Sequence, residues 1–169
     1  MPHFIEIIEQ SGFATWVRES PSIFAYTTIL SLHAMGLAII VGLNTVIALR
    51  LFGVAKEIPI GALYRLYPWM YVGFTVNALS GLSLLASNAS NDLSNWMFYT
   101  KLGFIALAML NLELMRARVF YDPGSLTAAA APPPHARVFA GFSIVLWGMA
   151  IVAGRLTEYP FFVARLLGS

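Results

Sequence analysis

Cysteine is absent from this chain of 169 residues, and charged residues are scarce. Without thiols, disulfides, thiolate zinc sites, iron–sulfur clusters and covalently attached c-type haem are excluded, so a metal would need His, Met or oxygen ligands. Only 11% of the residues are charged and 59% are hydrophobic, whereas an ordinary soluble domain has roughly 25% charged residues. The composition therefore favours a lipid bilayer as the solvent.

Four long apolar segments predict four transmembrane helices, at about residues 22–49, 67–86, 96–114 and 138–159. Four spans of about 20 residues use roughly half of the chain, which leaves little for a soluble domain. Ser20 followed by Pro21 is typical of a helix start and predicts that the first span begins there. We therefore predict one all-α membrane domain over residues 1–169, a four-helix bundle with interfacial segments at both ends.

Basic residues are concentrated in two of the connections between these spans. The first and third connections contain Arg50, Lys56, Arg65, Arg116, Arg118 and Arg137, whereas Arg18 and Arg165 lie on the opposite side. Because short cytoplasmic loops collect positive charge, we expect a multi-pass protein of the bacterial inner membrane with both termini in the periplasm. A formal net charge of +2, spread along the chain, argues against nucleic acid as a partner.

Polar residues inside an apolar span cost a few kcal/mol each, so each needs a partner or a function. His33 is the most informative, because imidazole ligates haem iron and carries protons beside quinones. Counted from the ends of their spans, His33, Asn77 and Trp147 lie roughly 14 to 16 Å deep, which predicts one layer near the midplane. His33 is thus a candidate contact for a b-type haem or a quinone. The alternative is a structural imidazole hydrogen-bonded to Asn77 or to a carbonyl of a neighbouring helix.

A second haem ligand is less evident, because no other predicted span contains a histidine. Met109 and Met149 fall near the depth of His33, and either would complete a His/Met site. Methionine is also a common filler of irregular cores. Two copies of His33 in a symmetric dimer are the remaining arrangement.

Lys101 and Arg155 lie within about two turns of helix ends on the same side of the bundle, and Tyr159 follows Arg155 closely in sequence. This trio would suit haem propionates, a quinone carbonyl or an anionic lipid headgroup. The alternative is that both basic side chains snorkel to the interface. Toward the opposite side, Glu113 and Arg116 are three residues apart, which predicts an ion pair on one helix face.

Three parts of the chain resemble a widespread family of small, functionally uncharacterised four-helix membrane proteins of bacteria. They are residues 31–38 (SLHAMGLA), residues 49–53 (LRLFG), and Trp147 followed by Gly154, Arg155 and Tyr159. In general plan the chain is also similar to copper-resistance D and cytochrome b561-type bundles, which implies a redox or metal-linked role in the inner membrane. The several span histidines of b561-type proteins are absent here, which favours an accessory subunit of a larger membrane complex.

These observations favour a small inner-membrane subunit linked to electron transfer, which either anchors other subunits or carries a b-type haem or a quinone. Two alternatives stay open, a permease for small solutes and a purely structural scaffold. A permease is expected to have broken spans with paired ionisable groups at the midplane. We expect no independent enzymatic activity, since no nucleophile–base pair or phosphate loop is evident. The expected partners are the lipid bilayer and either other membrane subunits or further copies of this chain.

Overall fold

The computed structural model describes residues 3–22, 24–121 and 132–157, with side chains from Ile5 onward, and the chain is helical in nearly all of these ranges. The helices are α1 His3–Glu9, α2 Gly12–Glu19, α3 Tyr26–Phe52, α4 Ile60–Leu63, α5 Tyr67–Ser87, α6 Ala89–Asp92, α7 Trp96–Met115 and α8 Pro134–Thr157. A 3₁₀ turn, Tyr64–Leu66, joins α4 to α5, and a π-helical turn, Arg116–Phe120, follows α7. The predicted all-α fold class is confirmed.

Three segments of the described chain are long and apolar enough to cross a membrane. They are α3, the segment Ile60–Ser87 that contains α4 and α5, and α8. Only 28–33% of the apolar window in each segment is buried within the protein, so most of that surface faces outward. Continuous apolar surface of this extent is compatible with lipid and unfavourable in water. α7 is the fourth long helix and is not one of these three segments.

Two helix starts differ from the sequence prediction. α3 begins at Tyr26, because Ser20 instead ends α2 by donating its backbone N–H to the Trp16 carbonyl oxygen at 3.1 Å. α8 begins at Pro134, about one turn earlier than predicted. Proline is well tolerated in the first turn of a helix, where the N–H groups have no helical acceptor. The proline-rich stretch therefore leads directly into the last long helix.

The four long helices form an antiparallel bundle whose neighbours in space follow the order α5, α3, α8, α7. α3 packs against α5 on one side and against α8 on the other, and α7 packs against α8. α5 and α7 meet at one end, where Tyr71 donates a hydrogen bond to Glu113 and the rings of Tyr67 and Phe120 lie edge to face at 5.3 Å. The bundle therefore consists of two hairpins, α3–α5 and α7–α8, joined along α3 and α8.

The bundle is conveniently divided into two halves along its axis. The arginine half, named for the basic residues of its connections, comprises residues 37–52, 67–76, 108–115 and 134–147 of the four long helices. The His33 half comprises residues 26–36, 77–87, 96–107 and 148–157. Each half contains about two to four turns of every long helix.

The two halves are packed differently. Every large apolar side chain that is fully buried on the four long helices lies in the arginine half; examples are Ile40, Tyr67, Leu112 and Trp147. In the His33 half, the fully buried residues of these helices are small or polar, namely Gly36, Asn77, Ser80, Ser87, Ala150 and Ala153. The larger side chains there remain partly accessible.

α1 and α2 cover the end of α5 that lies in the His33 half. Arg18 donates to the Ser87 carbonyl oxygen at 3.3 Å, and Ser90 donates to Glu9. On its other face, α2 leaves Phe13 and Trp16 about half exposed. The predicted N-terminal interfacial segment is thus a helix pair that packs on the bundle and turns an aromatic face outward, whereas the predicted C-terminal segment lies outside the described residues.

Candidate cofactor site around His33

His33 of α3 is held against α5 through its Nδ1 atom. Nδ1 lies 2.9 Å from the Asn77 carbonyl oxygen and 3.3 Å from Ser80 Oγ. A carbonyl oxygen can only accept a hydrogen bond, so Nδ1 carries the hydrogen and donates it. In the neutral ring the lone pair is then on Nε2, which has no hydrogen-bond partner among the described residues.

Asn77 holds the same histidine from a second direction. Its Nδ2 atom donates to the His33 carbonyl oxygen at 2.8 Å and lies 3.3 Å from His33 Nδ1. Each of the two residues therefore uses its side chain to contact the backbone carbonyl oxygen of the other. This reciprocal arrangement fixes the position of the ring, and it brings together two residues that the sequence placed at one depth.

Small residues allow the two helices to approach closely enough for these contacts. A Cβ atom added to Gly36 would lie 2.6 Å from the Asn77 backbone nitrogen and 2.7 Å from the Gly73 carbonyl oxygen. A Cβ atom added to Gly81 would lie 3.0 Å from His33 Cε1. The imidazole therefore rests directly on the backbone of α5, as close packing through small residues permits in membrane helices.

Lys101 of α7 lies at the same level of the bundle as His33. Its side chain runs along α8, where a Cβ atom on Gly154 would lie 3.5 Å from Lys101 Cδ, and it interacts electrostatically with His33. Arg155 is exposed, because the next residue on a helix points about 100° away. Lys101 and Arg155 therefore lie at nearly the same level, but only Lys101 is directed along the bundle toward His33, and Tyr159 lies outside the described residues.

Trp147 lies one layer away from His33. Ser143, one turn before Trp147 on α8, donates to Asn44 Oδ1 at 2.8 Å, which aligns α8 with α3. Asn44 is eleven residues beyond His33, or about 16 Å along α3. Trp147 is four residues beyond Ser143, or about 6 Å back toward the His33 end, so it is displaced from His33 by about 10 Å toward the arginine half. The single polar layer expected from the sequence is therefore two separate layers.

The two candidate methionine ligands also lie away from His33. Met109 packs against the core cluster of the arginine half and is about 12 Å beyond Lys101 along α7. Met149 is 44% exposed on the outside of α8. Met109 therefore lies in the other half of the bundle, and Met149, although in the same half as His33, faces outward.

The remaining polar groups of the bundle form contacts in the arginine half. Asn111 donates to the Phe139 carbonyl oxygen at 3.0 Å. The predicted ion pair is confirmed, with Arg116 Nε 3.0 Å from Glu113 Oε2, and Glu113 also accepts from Tyr71. These contacts join helices to one another and account for most of the polar residues that the spans contain.

Ser80 and Gly81 are the residues of the site that sequence reasoning missed. Both follow Asn77 by about one helical turn, so they share its face. Given that Asn77 is a partner of His33, this spacing predicts that the Ser80 hydroxyl group and the Gly81 backbone also lie next to His33.

The arrangement presents one oriented imidazole nitrogen inside a half-open part of the bundle. Such a nitrogen can coordinate haem iron or accept a hydrogen bond from a ligand. No group of three His, Asp or Glu side chains able to hold a metal ion occurs among the described residues. The chain matches no protein-family model, and neither a curated protein nor a solved structure is significantly similar to it.

Proposed function

We propose that this protein is a small subunit of a bacterial inner-membrane complex linked to electron transfer, in which His33 contacts a b-type haem or a quinone. In this proposal α7 crosses the bilayer together with the three other segments, which gives a four-helix transmembrane bundle. The arginine half lies toward the cytoplasm, because basic residues are retained on that side. Both termini and the His33 half then lie toward the periplasm.

The observation that carries the proposal is the orientation of the His33 ring. Histidines that ligate a metal commonly donate their other ring nitrogen to a carbonyl or carboxylate oxygen, which fixes the tautomer and the direction of the free nitrogen. His33 has this arrangement, with Nδ1 on the Asn77 carbonyl oxygen and Nε2 left for a ligand. A histidine that only tied two helices together would not need its second nitrogen to remain accessible.

The uneven packing of the bundle supports the same function. The arginine half has a continuous apolar core that joins the four helices. On the long helices of the His33 half, only small or polar residues are fully buried, and the larger side chains are partly accessible. Apolar walls with one or two directed polar groups are typical of sites for small organic ligands.

Optical spectroscopy of the protein purified in mild detergent tests this proposal. We expect either b-type haem bands in the dithionite-reduced minus air-oxidised spectrum or about one quinone per chain in an organic extract. His33→Asn should lose the cofactor, because asparagine keeps a donor for the Asn77 carbonyl oxygen but lacks the far nitrogen. Leu79→Ala, at an outward position of α5 that is 62% exposed, should retain it.

The proposal fails if the protein is colourless and free of quinone both alone and together with its co-purified subunits. Solute uptake by proteoliposomes that contain this chain alone would instead support the permease. Retention of the cofactor by His33→Asn would move the site to another part of the molecule.

A further inference from the structure

We infer that the ligand of the His33 half is a lipid-soluble quinol, which enters from the bilayer between α5 and α7. This inference rests on the proposed function and specifies which of the two cofactor classes the site accepts. It is carried by three features of the bundle: a lateral gap, an acceptor nitrogen and the positions of the other candidate ligands.

The lateral gap follows from where α5 and α7 make contact. The hydrogen bond that joins them lies at the arginine end, where Tyr71 donates to Glu113. Just beyond that end, the hydroxyl groups of Tyr64 and Tyr121 are 3.1 Å apart. Along their lengths, α5 and α7 are not packed against each other as α3 and α5 or α7 and α8 are. Since the two hairpins are joined through α3 and α8, the proposed opening lies between the His33 ends of α5 and α7 and faces the lipid. A molecule dissolved in the bilayer can therefore reach His33 without crossing the aqueous phase.

The polar end of this gap fits a hydroxyl group. Because Nδ1 of His33 donates to Asn77, the neutral ring presents Nε2 as an acceptor, and a quinol hydroxyl group supplies the hydrogen. The long helices of this half carry mainly apolar side chains, among them the partly accessible Leu85 and Phe104, which suit an aromatic ring and an apolar tail.

Haem is the less suitable occupant because its iron normally needs a strong axial ligand and often a second one. Neither methionine proposed as a second ligand lies beside His33, since Met109 lies in the next layer and Met149 faces outward. A quinol needs no ligand on its opposite face. It requires hydrogen-bond partners at one end and apolar surface elsewhere, which the His33 half provides.

Equilibrium binding in nanodiscs of phosphatidylcholine tests the inference. The probe is an isotope-labelled benzoquinol with a ten-carbon tail, kept reduced, and the chain is purified without added cofactor. We expect saturable binding to the wild-type protein. His33→Asn should bind about tenfold more weakly, the usual effect of losing one hydrogen bond. His33→Gln, whose amide oxygen reaches the position of Nε2, should retain most of the affinity, and Leu79→Ala should bind as the wild type does.

Each remaining result has a definite meaning. Unsaturable binding to the wild type, or equal affinity for His33→Asn and His33→Gln, overturns the quinol site. Haem bands in the purified protein also overturn it and leave the proposed function standing. A protein with neither haem nor quinone, alone or with its partner subunits, overturns the proposed function as well. Thermal unfolding of each variant, followed by circular dichroism, shows whether a loss of binding reflects a loss of fold.

Discussion

The contact between α3 and α5 depends on the absence of a side chain at Gly36, and Gly36→Ala is the sharpest test of the fold around His33. The new Cβ atom would lie 2.6 Å from the Asn77 backbone nitrogen, whereas ordinary contact begins near 3.4 Å. The helices must therefore separate locally by about 0.8 Å, the difference between these two distances. Both nearest atoms belong to the backbone, so no side-chain rotation relieves the clash.

The same separation lengthens the hydrogen bonds of His33, which lies one turn away on α3. Its bonds to Asn77, now 2.9 and 2.8 Å long, would exceed the usual limit for a hydrogen bond. Overpacking costs about 1–3 kcal/mol, and each interhelical hydrogen bond in a membrane protein contributes about 0.6 kcal/mol. Alanine's higher helix propensity offsets about 1 kcal/mol of this loss, so Gly36→Ala should destabilise the protein by about 1–3 kcal/mol.

Gly42→Ala is the matched control, because it lies on the same helix and its Cβ atom would meet nothing within 4 Å. Alanine is the better helix former by about 1 kcal/mol, so this variant should be as stable as the wild type or slightly more so. Unfolding by sodium dodecyl sulfate in mixed micelles measures the two free energies, and nitrogen NMR of labelled histidine follows the His33 Nδ1 bond. Equal unfolding curves for the two variants, with an unchanged His33 resonance, would refute the close approach of α3 and α5.

Two further predictions concern the polar core and the topology. Ser143→Ala should lower the free energy of unfolding by about 1–3 kcal/mol, because it leaves the buried Asn44 side chain without its partner. Adding Asn44→Leu to this variant should recover most of that loss. A double variant as unstable as the sum of the two single changes would contradict this account. Because the chain lacks cysteine, Lys56→Cys and Asn91→Cys can be labelled without background. In intact cells a membrane-impermeant maleimide should modify the cysteine at position 91 and not the one at 56, and the reverse pattern would invert the proposed orientation.

The helical fold was largely predictable because apolar segments of sufficient length allow few alternatives. The wrong predictions concern helix ends, where local hydrogen bonds determine which residue begins or ends a helix. Ser20 and Pro21 have the composition of a helix start, yet Ser20 ends α2, because its N–H group has an acceptor in the preceding turn. Pro134 begins α8 within a stretch whose composition is typical of linkers.

The site was predictable in part, since a depth count depends on where each helix starts and on how helices slide past one another. His33 and Asn77 were placed at one depth, and the structure joins them. Trp147 was placed at the same depth, but the Asn44–Ser143 bond sets a register that separates it from His33. Relative register is a property of interhelical contacts, so a count within one span does not contain it.

The bond between Asn44 and Ser143 also bears on how the chain is made. In the proposed transmembrane topology, α3 is synthesised long before α8, so the amide of Asn44 enters the membrane before the Ser143 hydroxyl group that donates to it exists. Until the last hairpin is inserted, that amide lacks this partner, which is costly in lipid. Completion of the bundle supplies the partner and buries the amide.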